Sequence, residues 1–143
     1  VNWRWTEHYQ GIPFKRRGRS HDGCDCWGLV RLVLAERAGI HVPSFAEIAT
    51  NDGKGINDEI RCQIAGGGWR QVVHEDPRQY DCVLMLGRAT INGVTRAAET
   101  HIGIMVAPGR LMHIEKGIEA VVVKTTCPTV RDRITRTFRW KGA

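Results

Sequence analysis

Gly23-Cys24-Asp25-Cys26-Trp27-Gly28-Leu29-Val30 is the stretch on which the reading of this chain turns. A Gly/Asp turn runs directly into an apolar segment where Leu29, Val30, Val33 and Leu34 recur at helical spacing, and Gly39 follows as a stop. The pattern predicts a buried helix from Cys26 to Ala38 with a cysteine on its first turn. The first N–H groups of a helix lack intrahelical partners, and the helix dipole is positive there. Both favour thiolate, the form of cysteine that attacks a carbonyl carbon.

Upstream, residues 1–10 carry Trp3, Trp5 and Tyr9 and suit a short helix, while 11–25 are rich in Gly, Arg and Asp and read as loop. Downstream, Pro43 and Ser44 open a segment where Phe45, Ile48 and Ala49 suit another short helix, broken by Asn51-Asp52-Gly53-Lys54-Gly55. Residues 56–65 read as helical through Ile56, Ile60 and Ile64, and the triple glycine at 66–68 ends them. The second half is strand-like. Cys82-Val83-Leu84-Met85-Leu86 is an apolar run of buried-strand length, and Ile91 to Arg96 is a hairpin around Asn92-Gly93. Strands follow over His101 to Ala107, Arg110 to Glu115, Ala120 to Thr125 and Ile134 to Trp140, with a turn at Pro108-Gly109. Helices first and antiparallel strands afterwards predict an α+β domain over residues 1–143. In it the nucleophile helix packs on a C-terminal sheet of about five strands.

With 143 residues the chain is long enough to bury a real core. Its net charge of +6 suits an anionic partner such as nucleic acid, a membrane surface or a cell wall. The cluster Lys15-Arg16-Arg17-Gly18-Arg19 equally suits a solvated loop, and no motif beyond charge supports nucleic-acid binding. An odd count of five cysteines argues against a disulfide framework and for synthesis in a reducing compartment. Val1-Asn2-Trp3-Arg4-Trp5 carries no apolar leader, and no run approaches the roughly 20 apolar residues of a membrane helix.

A nucleophilic thiol needs a base to take its proton and a third group to orient that base. By strand alternation His101, Gly103 and Met105 share one face, and Ile102, Ile104 and Val106 the other. The turn at Pro108-Gly109 returns the chain so that His113 lies on the adjacent strand. His101 is therefore read as the base and His113 as its orienting partner. His8, His41 and His74 have no such company and read as structural or solvated, whereas His21 lies close enough to the nucleophile loop to touch substrate. A zinc set of Cys24, Cys26, His101 and His113 is the competing reading of these residues. Zinc cysteines are usually two to four residues apart, and a single intervening residue aims the thiols in different directions. No metal and no cofactor are expected. Cys62, Cys82 and Cys127 read as buried apolar fillers.

Three segments carry a resemblance. Tyr9-Gln10-Gly11-Ile12-Pro13-Phe14 followed by Gly18-Arg19-Ser20-His21-Asp22-Gly23-Cys24-Asp25-Cys26-Trp27-Gly28-Leu29-Val30 is similar to the pattern Gly-x-Pro-Tyr … Gly-Arg-Ser-x-x-Gly-x-Asp-Cys-Ser-Gly-Leu-Val of NlpC-type papain-like cysteine peptidases. Tyr80-Asp81-Cys82-Val83-Leu84 resembles the Gly-Asp-Leu-Val start of a strand in that family. His101-Ile102-Gly103-Ile104-Met105-Val106 with Leu111-Met112-His113 resembles its His-Val-Gly-Ile-Tyr strand and return strand. The resemblance implies a papain-like core in which Cys26 is the nucleophile, His101 the base and His113 its orienter. It implies that Asp25 binds the free amino end of a peptidoglycan stem peptide, with Phe14, Arg19, Ser20, His21 and Trp27 completing the substrate-binding set. The implied reaction is hydrolysis of the amide between D-glutamate and a diamino acid.

Three residues depart from the pattern. Phe14 lacks the hydroxyl of the common tyrosine, Trp27 replaces a serine and is expected to reshape the adjacent subsite, and Arg17 replaces a glycine. The Asp-Cys-Trp-Gly-Leu-Val variant resembles the cell-wall peptidases of tailed phages and prophages. That likeness implies a virion tail-tip location, neighbouring tail proteins as partners, and local opening of the cell wall for the genome. It also implies synthesis in the host cytoplasm without a signal peptide. The competing expectation is a structural tail-tip plug or adaptor with an unused peptidase site.

Overall fold

The computed structural model describes residues 2–44 and 54–142. The helix expected around Phe45, Ile48 and Ala49 lies outside the described residues. After a 3₁₀ turn at Arg4–His8 the chain forms a small ladder of β1 (Arg19–Ser20) and β2 (Gly23–Cys24). The helix α1 (Cys26–Val33) is prolonged by a wider, π-type turn over Leu34–Ala38, and α2 spans Lys54–Ala65. Strands β3 (Trp69–Gln71), β4 (Cys82–Ile91), β5 (Val94–Ala107), β6 (Arg110–Glu115) and β7 (Ile118–Lys124) follow, then α3 (Pro128–Arg131) and β8 (Ile134–Trp140). The main sheet has six strands in the order β3-β8-β4-β5-β6-β7, each paired antiparallel.

The α+β class and the placement of the cysteine helix match the sequence reading. The main sheet has one strand more than expected. The extra strand, β3, is only three residues long and follows the triple glycine, too short to show a period of its own. The loop expected over 11–25 contains the β1–β2 ladder, and Lys54 and Gly55 belong to α2 rather than to the break before it. β4 and β5 run longer than their apolar cores and meet at Asn92-Gly93, whose positive φ values of 52° and 77° suit a two-residue hairpin turn. The far part of β5, Val94 to Ala97, is exposed, so no apolar alternation marked it as strand.

Burial of α1 organises the core. Leu29, Val30, Val33 and Leu34 are all fully buried against Leu84, Ile102, Ile104, Met112 and Ile114 of the sheet. A Leu or Val side chain removed from water in this way contributes about 1.5–3 kcal/mol. Val83, Met85, Met105 and Leu111 form a second cluster with Val130 of α3. Strand β4 is thus apolar on both faces, which is why Cys82 to Leu86 reads as a continuous apolar run rather than an alternating one.

Two local devices set the start of α1. Asp25 is its N-cap, and the Asp25 side chain accepts the Gly28 N–H at 2.8 Å. Gly28 itself lets the helix approach the preceding loop: a Cβ built there would lie 2.0 Å from the Gly18 carbonyl oxygen. Arg17, at the position where the resembling family has glycine, has a φ of 61°. That left-handed conformation costs a side-chain-bearing residue roughly 1–2 kcal/mol.

Candidate active site

Helix α1 and strands β5 and β6 bring the sequence-predicted groups to one cleft of ≈ 340 Å³. Cys26, the first residue of α1, shares its wall with Asp25 and with His101 of β5. His101 Nε2 lies 2.9 Å from Nδ1 of His113, which stands on β6, and both rings are buried. The reading of a histidine pair on adjacent strands therefore holds in space. Gly103 makes the approach possible. A Cβ there would lie 3.3 Å from the His113 Cβ and 3.0 Å from the Met112 carbonyl oxygen.

Burial drives the electrostatics of the pair. It pushes the His101 ring down to about 3, and it lowers His113 as well, so both imidazoles are neutral near pH 7. Glu115, two residues beyond His113, places Oε1 3.5 Å from His101 Nε2. With His101 neutral this is a carboxylate beside a dipole rather than an ion pair. Burial is the largest single influence on Glu115 and works against its charge, but the hydrogen bond from Arg133 and the neighbouring Arg133 and histidine charges together outweigh it and hold the carboxyl below its ordinary range. Arg133 is itself fixed by donating Nε–H to the Leu86 carbonyl at 2.8 Å. Neither Glu115 nor Arg133 was singled out from sequence. Glu115 was legible in principle, because it sits at period-two spacing from His113. Arg133 was not, since it comes from the loop before β8.

The other expected substrate residues divide. Phe14 lines the cleft, is half-buried, and pairs through its backbone with Cys24. Asp25 is buried, with Oδ1 taking both the Gly28 N–H and Arg19 Nη1 at 2.7 Å. Its Oδ2 has no hydrogen-bond partner among the described residues. Arg19 acts on the site through Asp25 and also donates to the carbonyls of Gly18 and Ser44. Ser20 is exposed on the β1–β2 turn, where its Oγ accepts the Asp22 N–H. His21 lies away from the cleft wall, with Nε2 2.8 Å from Glu36 Oε1 and its ring 5.2 Å from that of Tyr9.

Trp27 corrects an expectation. Its side chain turns into the core, is 1% exposed, and donates its indole N–H to the Pro43 carbonyl at 2.9 Å. It touches no part of the cleft. One helical residue past Cys26 is about 100° around the axis, which aims the two side chains apart. The cleft instead gains Arg16 and Lys116, both exposed, which together with Arg133 make its rim cationic.

The remaining thiols also differ in part from the reading. Cys82 is buried as expected, but Cys62 is exposed and Cys127 half-buried. Cys24 donates its S–H to the Ser20 carbonyl, and burial raises its thiol to about 11.

A sequence model described as the NlpC/P60 family matches residues 11–139, a span that runs from the loop before Cys26 to the last strand. The chain belongs to the NlpC/P60 family.

Solved structures of similar fold agree. The NlpC/p60 domain of the peptidoglycan hydrolase SagA is 19% identical, with a TM-score of 0.56, and the match covers 97% of this chain and 99% of that one. A protein of the NLP/P60 family from Staphylococcus aureus subsp. aureus Mu50, described as similar to lipoprotein, is 20% identical with a TM-score of 0.58. An NlpC/P60 family protein from Bacillus cereus ATCC 10987 is 16% identical with a TM-score of 0.60. The match covers 92% of this chain in both cases but only 37% and 36% of those longer proteins. Among curated proteins none matches the chain significantly. As in the NlpC/P60 structures, the architecture here is α+β with an antiparallel sheet.

Proposed function

We propose that this chain is a cysteine peptidase that hydrolyses amide bonds in peptidoglycan stem peptides, at the bond between D-glutamate and a diamino acid. One observation carries the reading. Cys26, at the N-terminus of a buried helix, shares a cleft wall with His101, whose Nε2 is already engaged by His113. Family membership and the resemblance of the motifs around Cys26 and His101 support the substrate class. The cationic rim of Arg16, Lys116 and Arg133 suits the free carboxylates of a stem peptide, and the unpartnered Asp25 Oδ2 suits its amino end.

The chemistry follows from which nitrogen is left. With His101 Nε2–H donating to His113 Nδ1, the Nδ1 lone pair of His101 takes the Cys26 proton. The thiolate attacks the amide carbonyl, and backbone N–H groups of the first turn of α1 stabilise the oxyanion. The C–N bond breaks as His101 protonates the leaving amine. Water then attacks the thioester, and its proton returns through His101 to Cys26. Phe14 offers no hydroxyl to this sequence, so the backbone donors carry the oxyanion.

The test is digestion of purified sacculi with mass spectrometry of the released peptides. The wild-type chain releases soluble muropeptides cut after D-glutamate, and Cys26→Ala does not. Equal release by Cys26→Ala, or products cut at another bond, refutes the assignment or its specificity respectively. We also infer a phage tail-tip location, on the likeness of Asp25-Cys26-Trp27-Gly28-Leu29-Val30 to tail-associated members of the family. Mass spectrometry of purified particles checks it, and absence of the chain from intact virions rules it out.

A further inference from the structure

The histidine pair has a third member that the hydrolysis above does not use. His113 and Glu115 stand two residues apart on β6 and so share a face, and His101 comes from the neighbouring strand. His101 Nε2 is 2.9 Å from His113 Nδ1 and 3.5 Å from Glu115 Oε1, and one ligand atom from each residue lies within 4.8 Å of the other two. A zinc-type ion bound at about 2.1 Å in tetrahedral geometry holds its ligands roughly 3.4 Å apart, which falls within the observed spread. Two imidazoles and a carboxylate are donors that suit zinc, cobalt, nickel or copper rather than magnesium or calcium. Both rings are buried, Glu115 is half-buried, and His101 and Glu115 line the cleft, so an ion has both a cage and a way in.

We propose that His101, His113 and Glu115 form a binding site for a divalent transition-metal ion of the zinc type, and that the bound ion inhibits the peptidase by occupying its histidine pair. Binding needs only a change of tautomer at His101. The proton that His101 Nε2 donates to His113 Nδ1 passes to His101 Nδ1, His113 keeps its Nε2–H, and Nε2 of His101 and Nδ1 of His113 each present a lone pair to the ion. The ring pair then no longer orients His101, and its Nδ1, now protonated, does not accept the Cys26 proton.

Arg133 sets the strength of the site. Its guanidinium donates to the same Glu115 oxygen that faces His101, while its Nε–H is tied to Leu86. The ion and Arg133 therefore compete for one carboxylate. Removing the guanidinium frees Glu115 and removes a positive charge from beside the incoming cation. Cys24, considered with Cys26 as a zinc ligand at the level of sequence, takes no part, because its thiol is turned to the Ser20 carbonyl.

The inhibitory effect rests on the peptidase reading, whereas ion binding does not, and the experiment separates them. Zn²⁺ is titrated calorimetrically into Cys26→Ala/Cys62→Ser, which has neither the cleft thiol, the exposed thiol of Cys62, nor turnover. One ion binds per chain. Adding Glu115→Gln, which keeps the side-chain shape, weakens binding at least 10-fold. Adding Arg133→Met tightens it several-fold. Co²⁺ in the same protein gives visible ligand-field bands without the sulfur charge-transfer band. Absence of saturable one-to-one binding, or an affinity unmoved by Glu115→Gln in a folded variant, overturns the site. Zn²⁺ also lowers muropeptide release by the wild type, with half-inhibition at the concentration that half-fills the site. Saturation of the site without loss of activity overturns the inhibitory role. If the metal-free wild type releases nothing, the peptidase reading fails while the calorimetry still decides the site.

Discussion

Gly103→Ala tests how the two rings are held together. Gly103 lies on β5 between His101 and Met105, against β6. The added methyl would sit 2.7 Å from Leu111 Cδ1, 3.0 Å from the Met112 carbonyl oxygen and 3.3 Å from the His113 Cβ. Leu111 is fully buried and has no room to swing away. Ordinary carbon contacts are about 3.5–4.0 Å, so β6 must retreat by roughly half an ångström. The same retreat takes the 2.9 Å contact between His101 and His113 to about 3.4 Å, beyond the useful range of a hydrogen bond. Overpacking of this kind costs about 1–3 kcal/mol, and for a domain of this size each kcal/mol moves Tm by roughly 3–5 °C. The expected fall in Tm is therefore roughly 3–15 °C. Loss of ring orientation adds a rate defect of about 10–10²-fold in muropeptide release, measured at a temperature where the variant is fully folded. In a His113→Ala background the rate penalty of Gly103→Ala disappears, because both changes act on the same contact. A Gly103→Ala protein with unchanged Tm and unchanged rate refutes the reasoning, as does a full penalty in the absence of His113.

Three further outcomes are expected. Arg139 makes two hydrogen bonds to the buried Asp81 carboxylate, at 2.8 and 2.7 Å, so Arg139→Met strands that charge and costs about 3–5 kcal/mol in denaturant unfolding; Asp81→Leu added to it restores much of the loss. In Glu75, hydrogen bonds from Arg70 and Arg139 hold the carboxyl down to about 2, and in Glu99 that from Arg136 lowers it too. Such groups bind fewer protons folded than unfolded. Their stabilisation is complete above roughly pH 4.5 and drains as pH falls toward 2, more weakly in high salt because both are partly exposed; a Tm that is flat over this range contradicts it. Iodoacetamide at pH 7 labels Cys26, Cys62 and Cys127 and spares Cys24 and Cys82, whose thiols burial raises, and His101→Ala slows labelling at Cys26 alone. Peptide mapping that finds Cys24 modified in the native protein counts against the packing of the β1–β2 turn.

Local order was readable wherever one face of an element is buried. The helix from Cys26 announces itself because Leu29, Val30, Val33 and Leu34 repeat at its period, and the hairpin at Asn92-Gly93 because its backbone conformation selects those residues. β3 escaped because it is only three residues long, and the outer arm of β5 because Val94 to Ala97 are exposed, so neither carries a hydrophobic period. Trp27 misled for a related reason. Its position beside the nucleophile in sequence says nothing of the turn of the helix, which carries its ring to Pro43 and the core.

The amino-acid sequence by itself determined the α+β class, the cysteine at the head of a buried helix and the two histidines on consecutive strands, since all three follow from residue type and spacing along one chain. Tertiary structure alone decided that Glu115 and Arg133 stand beside the histidine pair and that Asp25 serves as cap, with one buried oxygen left without a hydrogen-bond partner among the described residues. It also decided that Asp81 is held by Arg139, 58 residues away. Those partners meet through strand order and register, and which charge faces which is settled when β8 is inserted between β3 and β4.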